Sequence, residues 1–257
     1  MGIIGEDVIE FASLSYSKQK FGVAISIASI FGYQPVDGIM GLAWPSLTGA
    51  STVPPVQNIL PQLDQPLFTV YYKRNYLFSN NAVDGGLITF GAIDLEHCSE
   101  NIFYVPLSSK SYWQFTINGF AFKLHVSFGD YNMTKNYEAI SDTGTSWIGG
   151  PSAVIDELAG IAGAVYDAED DIYVIDCDEQ SKGKNLTVTI NGTELYIPSN
   201  QYIINLDLGD NQCAMTFFPI DLSGFGPQWI FGATMIRTYC QIYDVGNGQL
   251  GFATAVQ

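Results

Sequence analysis

The sequence predicts an all-β protein with short helices. Three observations carry that expectation. Runs of four to ten apolar, β-branched and aromatic residues recur along the whole chain, and they are separated by Gly, Pro, Asn and Asp clusters. Apolar residues make up 47% of the 257 positions and aromatics 14%, against only 14% charged, as in a folded chain with a real core. One segment alone has convincing helical spacing.

In chain order, Asp7 to Leu14 alternates loosely and Phe21 to Ile30 is apolar and β-branched. Gln65 to Tyr72 reads as a strand that runs into a polar loop, Lys73 to Asp84, ended by Gly85-Gly86. Strands are predicted at Leu87 to Phe90, Ile102 to Leu107, Trp113 to Ile117, Ala121 to Phe128 and Tyr137 to Ser141. The helix candidate begins at Pro151, a good first-turn residue, and places Val154, Ile155, Leu158, Ile161 and Ala162 on one face. Gly163 is placed to close it. Strand patterns return at Ile172 to Ile175, Leu186 to Ile190, Glu194 to Ile197, Tyr202 to Leu206, Trp229 to Phe231, Gln241 to Tyr243 and Leu250 to Ala253. Asn191-Gly192 between two of them is a hairpin signal.

Charge excludes one class of function. Ten Lys and Arg against 26 Asp and Glu give a net charge of −16, with no basic cluster for phosphate contacts, so no nucleic acid is expected. An acidic surface favours solubility, and it also suits service at low pH, where carboxylates protonate and self-repulsion falls. Two histidines, His97 and His125, are too few for a metal site or a Ser/His triad, and no P-loop, HExxH or GxGxxG is present; no metal and no cofactor are expected. No apolar run is long enough to span a bilayer.

Four cysteines, Cys98, Cys177, Cys213 and Cys240, allow three pairings, and none forms a CxxC. Sequons stand at Asn132, Asn185 and Asn191. An even cysteine count with sequons points to the secretory pathway. Residues Met1 to Glu6 lack the basic start and apolar stretch of a signal peptide.

The chemistry-bearing segment is Asp142-Thr143-Gly144-Thr145-Ser146, after an apolar strand and before Trp147-Ile148-Gly149-Gly150-Pro151 and the helix. The order reads strand, tight turn, helix. Thr143 and Thr145 offer hydroxyls to fix a carboxylate, and Gly144 permits a tight turn and close backbone approach. An Asp before Thr-Gly is also ordinary turn chemistry.

Several ordered stretches, together with this pentapeptide, resemble the pepsin family of aspartic endopeptidases. Pro35-Val36-Asp37-Gly38-Ile39-Met40-Gly41-Leu42-Ala43, Asp64-Gln65-Pro66-Leu67-Phe68-Thr69-Val70-Tyr71 and Gly85-Gly86-Leu87-Ile88-Thr89-Phe90-Gly91-Ala92-Ile93-Asp94 are similar to its conserved-order motifs. Val105-Pro106-Leu107, Tyr112-Trp113-Gln114-Phe115 and Trp229-Ile230-Phe231-Gly232 follow in the same order. Asp64 to Leu67 and Tyr239-Cys240 are nearest in tone to nematode digestive members.

The resemblance implies a pepsin-like acid protease fold with an incomplete N-terminal lobe at residues 1–94 and a complete C-terminal lobe at 95–257. It implies that Asp142 is the second of two catalytic aspartates, that Thr143, Gly144 and Thr145 support it, and that Gly144, Thr145 and Tyr112 line a peptide cleft. The first aspartate loop and the flap are absent from the 257 residues, so poor hydrolysis or none is expected of this chain alone, with a non-catalytic binding protein or pseudoenzyme fragment as the alternative. It further implies a Cys177–Cys213 bridge, which leaves Cys98 with Cys240. A peptide or protein substrate, a monomer, and a secreted or lysosomal location follow from the same resemblance.

Overall fold

The computed structural model describes residues 2–33, 36–49, 52–74, 85–122, 131–133, 135–221 and 226–256. Strands dominate and helices are short, in agreement with the all-β expectation.

Two strands, Gly2–Phe11 and Leu14–Ala24, form an antiparallel hairpin that makes a sheet by itself. Its face is largely open: Ile3, Ile4, Val8, Phe21 and Val23 are all exposed. Polar contacts tie it down. The buried Gln19 donates to the Val53 carbonyl and accepts from the Asn58 side chain, and Gln62 donates to the Ser15 carbonyl.

A five-stranded antiparallel sheet runs Gly86–Phe90, Leu67–Tyr72, Tyr239–Asp244, Gln249–Ala255 and Cys98–Pro106. It therefore takes strands from both sides of residue 94. Its centre is apolar on both faces, as a covered sheet requires, with Phe68, Val70, Ile242, Tyr243, Leu250 and Phe252 all buried. The Cys98–Cys240 disulfide ties the edge strand Cys98–Pro106 to the central strand Tyr239–Asp244, and Cys177–Cys213 joins the Ile172–Asp176 strand's exit to Gln212–Met215.

The site-bearing sheet has six strands in the order Phe217–Pro219, Ile148–Gly150, Trp229–Phe231, Tyr137–Ser141, Trp113–Ile117 and Ser109–Lys110. Tyr137–Ser141 is central. It pairs antiparallel with Trp113–Ile117 and parallel with Trp229–Phe231. A strand with neighbours on both sides and layers above and below should be a continuous apolar run, and Ala139, Ile140, Trp229 and Phe231 are buried accordingly. The helix Ser152–Ala162 covers the sheet with Ile155, Leu158 and Ala159 and ends on a left-handed Gly163. Two four-stranded sheets complete the fold; one contains the Leu186–Ile190 and Thr193–Ile197 hairpin, turned at Asn191-Gly192.

Several boundaries depart from the sequence reading. The predicted strand Asp7 to Leu14 is broken by a turn at Ala12-Ser13, where both residues have positive φ. The second strand starts at Leu14 instead of Phe21 and ends at Ala24, after which Ser29–Tyr33 forms a 3-10 helix. Tyr202 to Leu206 shortens to Ile203–Ile204 after a helical turn, Ser199–Tyr202. A short strand, Ile148–Gly150, stands between the Asp142 turn and the helix, so the local order is strand, turn, strand, helix. Of the predicted Ala121 to Phe128 strand, Gly119–Phe122 is a strand, and residues 123–130, with His125, lie outside the described residues.

Candidate active site

Asp142 follows directly on the central strand Tyr137–Ser141. Its amide donates to the Phe231 carbonyl at 3.0 Å, so the parallel neighbour strand fixes where the turn begins. The turn closes when the Thr145 amide donates to the Asp142 carbonyl. Beyond it the chain is held again: Ala233 donates to the Thr145 carbonyl at 2.8 Å, and Gly232 to that of Trp147 at 3.0 Å. Gly232 has to be glycine here. A Cβ on it would lie 2.2 Å from the Thr145 carbonyl oxygen and 2.5 Å from that of Trp147.

The carboxylate of Asp142 is half-buried and accepts two bonds. The Gly144 amide reaches Oδ1 at 2.9 Å, and the Thr145 hydroxyl reaches Oδ2 at 2.6 Å. Both donors come from the same turn, so each carboxylate oxygen has a fixed partner. Behind the turn, Ser141 hydrogen-bonds the side chains of Gln241 and Tyr243. Tyr243 is fully buried, stacked on Phe68 at 4.6 Å and edge-on to Trp113 at 4.9 Å. Burial pushes its phenol well above the ordinary value, so it stays neutral and holds its proton for bonding. Tyr72, on the adjacent sheet, donates to the Thr143 carbonyl at 2.9 Å. Burial raises this phenol too, and the nearby Asp142 charge adds to the shift, while the bond to Thr143 works against it.

Asp142, Thr143 and Gly144 line a cavity of about 300 Å³ together with Ile39, Met40, Leu42, Leu47 and Tyr112. Its wall is apolar, and Asp142 is the one carboxylate among the described residues that line it. Tyr112 is exposed at the rim. Thr145 reaches the carboxylate and does not line the cavity. A larger cavity, of about 1070 Å³, lies between the hairpin and the segment that includes Asp37 and Pro55; it shares Ile39, Met40 and Leu47 with the Asp142 cavity but is not lined by Asp142. The Asp142 cavity is the better candidate, because it joins an apolar wall to a half-buried carboxylate whose two oxygens each have a fixed donor.

The remaining predicted site residues are dispersed. Asn185 and Asn191 are exposed; the Asn132 sequon includes Thr134, outside the described residues. Among the described residues no group of three or more His, Cys, Asp or Glu is arranged to hold a metal ion, and no helix is long and apolar enough to cross a membrane.

The sequence reading missed Tyr72, Gln241 and Tyr243. Each sits in a strand pattern where an aromatic or polar residue looks like packing, and their approach to the turn depends on sheet pairing far along the chain. The apolar wall from residues 39–47 likewise emerges only from tertiary structure.

A family model for eukaryotic aspartyl proteases matches residues 1–255. Aspartic protease 1 of Caenorhabditis elegans is 46% identical over 257 residues, covering 99% of this chain and 63% of that protein. Aspartic protease 6 of the same nematode is 43% identical, covering 100% of this chain and 64% of its own length. Pepsin A of Rhinolophus ferrumequinum is 33% identical, covering 98% and 63%. The chain thus spans less than two thirds of the length of these relatives.

Proposed function

Because the chain belongs to the eukaryotic aspartyl protease family, we propose that Asp142 is one carboxylate of a dyad that hydrolyses peptide bonds. The observation that carries the reading is the carboxylate itself, held by Gly144 and Thr145 at an apolar cavity. In such a dyad, two close carboxylates share one proton, since like charges side by side cannot both ionise. The ionised one takes a proton from water as the water oxygen bonds to the peptide carbonyl carbon. The protonated one gives its proton to the carbonyl oxygen. The C–N bond then breaks as the leaving nitrogen takes a proton from the first carboxylate and one hydroxyl of the tetrahedral intermediate returns its proton to the other, which leaves a carboxylic acid, an amine and the singly protonated dyad. Thr145 and Gly144 orient Asp142 for this, Thr143 helps to hold the two aspartate loops together, and Tyr112 lines the substrate cleft.

The second carboxylate comes from outside these 257 residues. The chain by itself therefore hydrolyses peptides poorly or not at all. Two lobes, 1–94 and 95–257, are the working division, with the five-stranded sheet shared between them. The substrate is a peptide or protein, the chain is a monomer, and the protein works in a secretory or lysosomal compartment. The two disulfides and the exposed Asn185 and Asn191 support an oxidising location.

Two preparations test this with denatured globin at about pH 3–5, where a dyad divides its roles. The purified 257-residue chain should leave the substrate intact. A chimera with these residues replacing the matching segment of the 46%-identical nematode relative should cleave it. Asp142→Ala in the chimera should lower turnover about a thousandfold or more. A folded chimera without activity would favour a non-catalytic binding role, and cleavage that survives Asp142→Ala would remove Asp142 from the chemistry.

A further inference from the structure

One peptide group in the Asp142 turn is held at both ends. The Thr143 carbonyl and the Gly144 amide belong to the same planar unit. Its N–H donates to Asp142 Oδ1 at 2.9 Å, and its C=O accepts from the Tyr72 hydroxyl at 2.9 Å. We infer that Tyr72 is a positioning residue for Asp142, acting through the Thr143–Gly144 peptide. The inference rests on Asp142 being the working carboxylate.

The reason lies in turn geometry. Asp142 to Thr145 is a four-residue turn, and Thr143 and Gly144 are its central pair. The peptide between the central residues is the one that rotates by about 180° between the two common turn types. A glycine at the second central position favours the rotated form, which needs a positive φ. Gly144 does not have one here. In the rotated form the amide would leave the carboxylate and the carbonyl oxygen would face it. The sequence of the turn alone therefore leaves a choice, and a bond to the carbonyl from outside decides it.

Tyr72 is well placed to supply that bond. It ends the strand Leu67–Tyr72, which is paired on both sides, with Gly86–Phe90 and with Tyr239–Asp244. A hydroxyl delivered from such a strand has little freedom to follow a rotating peptide. The phenol remains protonated, as described above, and so remains a donor. A donor on the carbonyl also polarises the peptide and strengthens the N–H bond at its other end. The titratable groups that face the carboxylate are the phenols of Tyr72, Tyr112 and Tyr243; no other carboxylate and no cation lines the cavity among the described residues.

The test reads both ends of the peptide by NMR on the isotopically labelled 257-residue chain. In the unaltered protein, the Gly144 amide proton should move downfield as Asp142 ionises. In Tyr72→Phe, which keeps the ring, the Thr143 carbonyl carbon should shift upfield, and the Gly144 amide should lose most of its response to Asp142 ionisation. Tyr243→Phe removes a neighbouring buried hydroxyl with no bond to this peptide and should leave both signals in place. Incorporating 3-fluorotyrosine at position 72 makes the phenol a stronger donor without changing its shape, and should shift both signals the opposite way. That arm decides the matter alone if Tyr72→Phe does not fold. Unchanged Thr143 and Gly144 signals in a folded Tyr72→Phe, or no opposite shift with the fluorinated ring, would reduce Tyr72 to a packing residue. None of these readouts requires turnover, so loss of the protease reading and loss of this one are separate results.

Discussion

The hairpin at Gly2–Ala24 and the sheet around Tyr137–Ser141 are written in the same alphabet and end in opposite environments. Both are rich in Ile and Phe. In the hairpin, Ile3, Ile4 and Val8 are each more than half exposed, and the residue most deeply buried is the polar Gln19. Around Tyr137–Ser141, the side chains of Phe115, Ala139, Ile148, Trp229 and Phe231 have no measurable exposure. An apolar strand pattern thus specifies extended backbone in both places, but only the second has layers on both sides to cover it. Patterning selects the element; stability comes from what packs on it.

The strongest way to break that comparison is to empty the covered sheet. Trp229→Ala removes the largest fully buried side chain beside the Asp142 turn. It should cost about 3–5 kcal/mol in urea unfolding. A loss no larger than that of a surface substitution would mean that the two regions differ less than their burial indicates.

A smaller effect sharpens the picture at the same strand. Burial would raise the Glu138 carboxyl, but hydrogen bonds from Ser108, Gln114 and Thr116 outweigh it and hold the group below the usual range. A depressed folded value contributes stability above the unfolded value, and that contribution is lost as pH falls through the folded one. Glu138→Gln should therefore destabilise at neutral pH by less than about 1 kcal/mol after solvent screening, with the penalty shrinking below the ordinary glutamate range. Urea midpoints at neutral and acid pH measure it; a penalty that grows on acidification would reverse the sign.

The smallest effect belongs to the hairpin. Ile3→Ser should change unfolding stability by no more than about 0.5 kcal/mol, because the side chain, 60% exposed, is already mostly in water. It should reduce concentration-dependent self-association in sedimentation, since exposed apolar strands invite edge pairing. A large stability loss would show that the hairpin face is packed in solution.

What the sequence made legible follows the same division. Trp113 to Ile117, Tyr137 to Ser141, Leu186 to Ile190 and Trp229 to Phe231 match their strands end to end, because short runs of aromatic and β-branched residues anchor them in the core. The helix after Pro151 was readable from its spacing and its closing glycine. The hairpin was misread because Ala12-Ser13 lacks the Gly, Asn or Asp that a two-residue turn with positive φ at both positions favours, so little in the string marks the reversal. Ile148–Gly150 was missed for the opposite reason: a Gly-Gly pair reads as a turn, yet here the rings of Phe218 and Trp229 occupy the space that Cβ atoms would fill. Of the site, Asp142 and its local donors were visible because they lie within four consecutive residues. Tyr72 and Tyr243 were not, because a strand residue's partner across sheets has no local signature.

The five-stranded sheet sets a timetable for synthesis. Leu67–Tyr72 is translated well before its neighbour Tyr239–Asp244 and that strand's neighbour Gln249–Ala255. The sheet cannot close before those strands are made, and pairing over such separations is slow. Cys98 meets the same delay. It waits as a thiol while Cys177 and Cys213, 36 residues apart, both appear before its own partner, Cys240, 142 residues away. Cys98 can therefore pair with Cys177 or Cys213 before Cys240 is made, and a disulfide isomerase should speed the recovery of reduced, unfolded chain more than it speeds the recovery of chain whose bridges were left intact.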